Sequence, residues 1–232
     1  MPNLSEGFLW YLAFLFSVVA HEASHAFVAM KLGDRTAYEG GQVSLDPFPH
    51  IRREPVGTVV VPIVSFLAGG WMIGWASAPY DPVWARRYPR RSALMSLAGP
   101  LSNLLLVLAA GLLIRLGMAL DLFYAPDRIS LAGVVAARQD GTLAGVATLI
   151  SIVFSLNLLL FAFNLMPFPP LDGSGIIPLF LGHDRAVAYM DFIHANHLAF
   201  IGLLIAWKMF DFVFDPVHLV FINLLYPGYG YH

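Results

Sequence analysis

The stretch FLFSVVAHEASHAFVAM, residues 14–30, decides how this chain is read. It is apolar enough to lie in a bilayer, yet it carries His21, Glu22 and His25 within five positions. Ionisable side chains inside a membrane are costly, by roughly 2.5 to 3.5 kcal/mol on insertion scales for the charged types. Something must compensate them. In a helix, residues four apart stand one turn apart on the same face, so His21 and His25 can offer imidazole nitrogens to one ion. That is the H-E-x-x-H spacing of zinc peptidases, in which the glutamate, on an adjacent part of the helix surface, acts as general base on a metal-bound water. The plainer alternative is a pair of hydrogen-bonded core histidines. In a membrane segment the cost of Glu22 favours a Zn2+ ion with its water as the compensating partner.

Working outward, 58% of the 232 residues are hydrophobic and only 12% are charged, with a mean hydropathy of +0.70. That apolar content exceeds what one soluble core needs. A helix crosses the hydrocarbon layer with roughly 20 mostly apolar residues, and residues 7–32, 92–120 and 143–167 meet that length. Residues 198–225 are a fourth candidate, interrupted by Lys208, Asp211, Asp215 and Pro216 and readable as a crossing helix followed by an interfacial one. The N-terminus lacks a basic region before its apolar run, so the first segment reads as a retained helix and not as a cleaved signal peptide. The sequence predicts an all-α polytopic membrane protein, a bundle of about 4–6 transmembrane helices with a re-entrant hairpin and a short β segment after the first helix. The β segment is expected around Gln42–Leu45, in a stretch rich in Gly, Pro and Asp.

The hairpin is expected at residues 56–78, VGTVVVPIVSFLAGGWMIGWASA. This run is long enough to cross, but Pro62 and the Gly69-Gly70 pair lie inside it, where a membrane helix can break or turn back. Lys31, Arg35, Arg52 and Arg53 precede it, and Arg86, Arg87, Arg90 and Arg91 follow it. One crossing would put these basic loops on opposite sides, whereas a hairpin keeps both on the cytoplasmic side, as the positive-inside tendency prefers. The first helix then runs inward, and His25 lies toward the cytoplasm.

A net charge of −2 leaves no broad basic surface for a nucleic-acid partner. The absence of cysteine excludes a thiolate nucleophile and a Cys-rich zinc knuckle, so a metal site must use His, Asp or Glu. Two histidines do not complete a catalytic zinc site, which takes three protein ligands and an open position. Asp172 is the candidate third ligand. It follows an apolar helix in NLMPFPPLDGSG, where Pro167, Pro169 and Pro170 prevent continuous helical hydrogen bonding and Gly173 permits an unusual turn, aiming the carboxylate inward from unwound backbone. The bland reading is a helix-ending loop with a solvated aspartate.

AHEASHAFVAMKLGD near the start, SLAGPLSN at 96–103 and FNLMPFPPLDGSGII at 163–177 together resemble the site-2 proteases, intramembrane zinc metallopeptidases of peptidase family M50. The likeness spans roughly residues 10–180 and is nearest to the compact prokaryotic branch without a PDZ domain. It implies a single membrane-embedded metalloprotease domain over 1–232, with a catalytic core at about 7–180 and C-terminal helices at about 181–232. It implies one Zn2+ per chain on His21, His25 and Asp172, with Glu22 catalytic. The implied substrate is the transmembrane segment of a membrane protein or a signal-peptide remnant, cleaved in or near the lipid bilayer. The implied location is a multi-pass one in a prokaryotic plasma membrane, with the active site toward the cytoplasm. Asn103, in GPLSN, would face the site and steady the substrate backbone or the oxyanion, with a small-residue helix contact as its alternative. Asn164 would cap or brace the broken helix, and Pro167, Pro170 and Gly173 would support the site. In LDPFPHIRREPVGT, His50 matches the branch pattern, while Asp46 and Glu54 depart from it outside the zinc site.

Other readings are weaker. The Tyr-Asp and Gly-x-Gly-Asp motifs of intramembrane aspartyl proteases find only Tyr80-Asp81 and Leu32-Gly33-Asp34, with the first glycine missing, the order reversed and both at expected membrane edges. No G-x-S-x motif pairs with a membrane histidine as a serine protease would need. The alternative from another class is a membrane metal transporter or metal sensor, which would need further ligands along a crossing path. His50, His183, His194, His197, His218 and His232 fall mostly in loops or toward the C-terminus, positions ordinary for histidine.

Overall fold

The computed structural model describes residues 3–195 and 198–231; His197 and His232 lie outside the described residues. Helix α1 runs Leu4–Leu32, begun by Asn3, whose side chain accepts the Ser5 N–H, and ended by Gly33 in the left-handed region at φ 111°. Only glycine adopts that conformation at no steric cost, and from there its N–H reaches the carbonyls of Ala29 and Met30. Helix α6, Pro89–Ala119, and helix α7, Thr142–Asn164, are the other long apolar helices. All three fall within a few residues of the apolar runs in the sequence. They pack against one another, α1 touching both α6 and α7. Their outward faces stay apolar and uncovered, with Leu101, Leu105, Leu108 and Leu112 of α6 all exposed. Such a surface is a liability in water and the required one in lipid. The protein is a membrane protein.

Between α1 and α6 lie the short helices α2, Thr36–Glu39, and α3, Pro47–Arg53, then a π-helical turn at Val56–Val60 leading into α4, Val61–Gly69, and finally α5, Pro82–Arg87. Residues 56–78 do not form one long helix. The chain reverses at Gly70, φ 76°, and returns extended alongside the helix it has just left. Trp75 N–H donates to Gly57 O at 3.1 Å, and Ile73 N–H donates to Ser65 Oγ at 3.1 Å. The base is closed by Ser77, whose hydroxyl donates to Glu54 Oε1 at 2.7 Å while Arg53 Nε donates to Ser77 Oγ at 3.1 Å. Gly57 and Gly74 allow this contact, since a Cβ at either would overlap the opposite strand of the hairpin. The tip packs Phe66 and Met72 against Trp10, Phe14 and Val18 of α1.

Three details differ from the sequence reading. Gln42–Leu45 forms turns and bends; the short antiparallel sheet lies later, pairing β1, Phe123–Tyr124, with β2, Ala136–Ala137. Gln42 is drawn away from strand pairing by its buried side chain, which donates to Ser77 O at 3.0 Å. At the C-terminus, α10 runs unbroken through Pro216 from Ala199 to Leu225. The bend comes before it: α9, His183–Ala195, and α10 meet at 94°, and a fourth span exists only if that pair is counted as one. Asp172 opens a short helix, α8, Asp172–Ile176, instead of lying in unwound backbone.

Candidate metal centre

Helix α1 places His21 and His25 on one face, and each ring is held from behind. His25 Nδ1 lies 2.7 Å from Met95 O on α6, and a carbonyl only accepts, so the proton is on Nδ1. His21 Nδ1 lies 2.6 Å from Asn103 Oδ1 and donates to it. The Asn103 amide is fixed in turn, because its Nδ2 donates to Asn157 Oδ1 at 2.8 Å. Asn157 on α7 donates onward to Ser17 Oγ, also at 2.8 Å. This buried chain joins three helices, and together with the Met95 carbonyl behind His25 it turns both Nε2 lone pairs outward, the arrangement expected of metal-ligating histidines.

Those lone pairs converge. His21 Nε2 and His25 Nε2 are 3.0 Å apart. Asp172 brings Oδ2 to 3.0 Å from His21 Nε2 and Oδ1 to 3.3 Å from His25 Nε2. Asp172 Oδ2 is buried without a hydrogen-bond donor. With both Nδ1 atoms holding the protons, the four converging atoms are all acceptors. Read instead as two ion pairs, the contacts would set the Nε2–H groups of two imidazolium rings 3.0 Å apart, edge to ring. A cation among the four atoms removes either conflict, and two imidazoles with a carboxylate suit Zn2+.

The rest of the centre is shaped by glycine. A Cβ on Gly99 of α6 would overlap the Nε2 atoms of both histidines, so only glycine lets α6 lie this close to α1. Gly173 sits on the carbonyls of Leu165 and Met166, where a Cβ would also collide, and this approach folds α8 back under the end of α7 and presents Asp172. The helix stops at Asn164, three residues ahead of Pro167. Asn164 makes no side-chain hydrogen bond among the described residues, so the expected cap or brace is not found; Pro167 is exposed and Pro170 borders the cavity.

Glu22 is buried beside the histidines, its carboxylate within 4.8 Å of their ligand atoms. It has no hydrogen-bond partner among the described residues, and it faces a cavity of about 490 Å³ that also reaches His25 and Asp172. The cavity is lined by Ala76, Ser77 and Ala78 of the returning hairpin strand, by Ser92 and Ser96 at the start of α6, and by Tyr189 of α9. The segment GWASAPYDP, residues 74–82, thus forms one wall of the site. Asn103 does not line it. With none of its surface exposed and both ends of its amide engaged, it holds His21 and does not reach a substrate or an oxyanion.

Sequence reasoning missed Asn157 and Ser17. A lone asparagine inside SLNLLL and a serine four residues before His21 were the available signals. Asp34 and Asp81 do come together, but as a brace: Asp34 accepts N–H groups from Thr36 at 2.9 Å and Asp81 at 2.8 Å. His50 is wholly buried, its Nε2 3.1 Å from Ser44 O, and His194 lines the cavity with Nδ1 bonded to Met190 O at 2.7 Å.

The model of peptidase family M50 matches residues 9–207. The chain belongs to peptidase family M50. The match reaches past residue 180, into α10. Among curated proteins, it is 34% identical over 167 residues to "Putative zinc metalloprotease YwhC" of Bacillus subtilis (strain 168), covering 72% of this chain and 66% of that one. It is 25% identical over 207 residues to "Putative zinc metalloprotease Rip2" of Mycolicibacterium smegmatis, covering 89% and 70%. The Rip2 protein of Mycobacterium tuberculosis H37Rv is 33% identical over 159 residues, 68% of this chain and 52% of that one. The matches to the M50 chain thus span 52–70% of these relatives' lengths. No solved structure matches it.

Proposed function

We propose that this M50 protein is a zinc endopeptidase, one membrane-embedded domain that cleaves the transmembrane segment of a membrane protein or a signal-peptide remnant. The observation that carries the reading is the convergence of four acceptor atoms from His21, His25 and Asp172 beside the unpaired carboxylate of Glu22. Zinc held there would polarise a water molecule and the scissile carbonyl. Glu22, with no hydrogen bond to satisfy elsewhere, takes the proton from water and delivers it to the leaving amine nitrogen. Asn103 and Met95 O keep both imidazoles in the tautomer that binds metal.

The position of the site supports a membrane substrate. His25 and His21 lie 7 and 11 residues before the end of α1 at Leu32, or about 10 and 16 Å along a helix rising 1.5 Å per residue, within a hydrocarbon layer about 30 Å thick. At that end stand Lys31, Arg52, Arg53, Arg86, Arg87, Arg90 and Arg91, with Arg91 Nη1 bonded to Leu32 O at 3.1 Å. By the positive-inside tendency this end faces the cytoplasm, and the serines of the cavity admit water from there. A metal transporter would need further ligand sets along its path. Among the described residues such side chains gather at one place, His21, Glu22 and His25 with Asp172 beside them.

The test is Glu22→Gln, assayed on a reporter with a transmembrane segment. The variant should retain zinc in stoichiometric amount and lose cleavage, since the ligands survive and the base does not. Wild-type rates from purified Glu22→Gln protein would overturn the mechanism.

A further inference from the structure

A second pocket lies at the same end of the molecule, about 310 Å³ in volume and apart from the cavity that reaches the histidines. It is lined by Arg87, Tyr88, Arg90 and Arg91 at the junction of α5 and α6, and by His183 and Ala186 at the start of α9. No carboxylate lines it. Among the described residues none of the three guanidinium groups forms an ion pair; the neighbouring Arg86 does, with Asp191 of α9 at 2.9 Å. Arg87 and Arg91 each lie over the Tyr88 ring, 5.5 and 4.4 Å from its centroid, a contact that restrains both side chains. Arg91 spends one nitrogen on Leu32 O and keeps its other donors. Three guanidinium groups around one concavity repel one another, and an anion among them relieves that repulsion.

We propose that this pocket binds a phosphate-bearing anion, and that the phosphodiester headgroup of an anionic phospholipid is its occupant. Planar guanidinium groups match phosphate oxygens bidentately, and basic pockets at the cytoplasmic ends of membrane helices are suited to anionic headgroups. The position fits as well: the arginines immediately precede the apolar run of α6 that begins at residue 92, so a headgroup in the pocket would lie at the end of a helix whose leucines are exposed to acyl chains. The site has a structural consequence. Helix α9 contributes His183 and Ala186 to this pocket and Tyr189, Met190 and His194 to the cavity beside Glu22. An anion bridging α6 to the start of α9 holds the wall of the catalytic cavity in place.

The whole chain, reconstituted in nanodiscs of neutral phosphatidylcholine, is titrated with phosphatidylglycerol, and bound lipid is read by native mass spectrometry. Arg87→Gln and Arg90→Gln, which break no interior hydrogen bond, should each weaken binding about fivefold, the worth of one basic residue near an anionic surface. Arg52→Gln, which removes an equal charge outside the pocket, should leave it unchanged. Equal losses in all three variants would mean general attraction to a basic face and overturn the site. So would binding unaltered by Arg87→Gln and Arg90→Gln. Inorganic phosphate is the second arm: competition at millimolar concentration, lost in the same two variants, assigns the pocket to free phosphate, upholding the anion site and overturning its lipid occupant. None of these readouts uses proteolysis, so the result stands apart from the fate of the Glu22 mechanism.

Discussion

Asn103→Ala separates a residue that holds His21 from one that acts on substrate. In the wild type, His21 Nδ1 donates to Asn103 Oδ1 at 2.6 Å in a wholly buried setting. Truncation leaves that N–H without an acceptor and Asn157 Oδ1 without its donor. Each orphaned buried group costs about 1–3 kcal/mol. Only the loss at His21 acts on the metal, because a freed ring can rotate or move its proton to Nε2 and close the lone pair. Removing the outer partner of a metal-ligating histidine typically weakens metal binding 10- to 100-fold, or about 1.4 to 2.8 kcal/mol. Zinc affinity is measured by competition with a chromophoric chelator, and kcat is then measured at saturating zinc. The expected result is weaker zinc binding with kcat largely restored once the site is filled. Asn103→Asp, which keeps an acceptor toward His21, should hold zinc better than Asn103→Ala. Unchanged zinc affinity with a kcat lowered by 100-fold or more would refute this reasoning and return Asn103 to the oxyanion.

Other outcomes follow from the same geometry. Asp172→Ala removes two of the four converging atoms, so zinc per chain by elemental analysis should fall together with activity; full stoichiometry would take Asp172 out of the ligand set. Gly99→Ala pushes a methyl group into both imidazoles, and overpacking of this kind costs about 1–3 kcal/mol. A lowered Tm and reduced zinc content are expected, and wild-type values for both would show that α6 can retreat. Pro79→Cys and Gly70→Cys report on the hairpin: its closed base at Glu54 and Ser77 places residue 79 at the basic end and residue 70 at the far tip. A membrane-impermeant thiol reagent should label position 79 from the cytoplasmic side and leave position 70 unlabelled there, whereas a crossing helix would expose 79 on the opposite side.

Local chemistry explains which parts of this protein are legible in its sequence. His21, Glu22 and His25 share one helix, so their placement follows from a fixed rise and turn per residue. The same holds for the three long apolar helices, whose ends are marked by Gly33, Pro89 and Pro167. The reversal at residues 56–78 was also readable, because Pro62 and the Gly69-Gly70 pair interrupt a run that is otherwise long enough to span. What the sequence could not convey is which distant groups meet. Asn103 reads equally well as a substrate contact or a packing residue until Asn157, 54 positions away, and His21, 82 positions away, are seen to use both ends of its amide. The short sheet after the first helix exists, but its place was misjudged for a related reason: Gln42 is held by Ser77 O, a partner 35 residues off, and the strands pair at Phe123–Tyr124 and Ala136–Ala137. The sequence by itself determined a membrane helix bundle and a motif that needs a cation. The sequence also named Asp172 as the third ligand, but only the tertiary structure decided that it reaches both imidazoles and what holds them. A carboxylate from Asp172, two glycines that permit close approach and a buried amide chain converge on one point, and such convergence depends on distances that no spacing along the chain encodes.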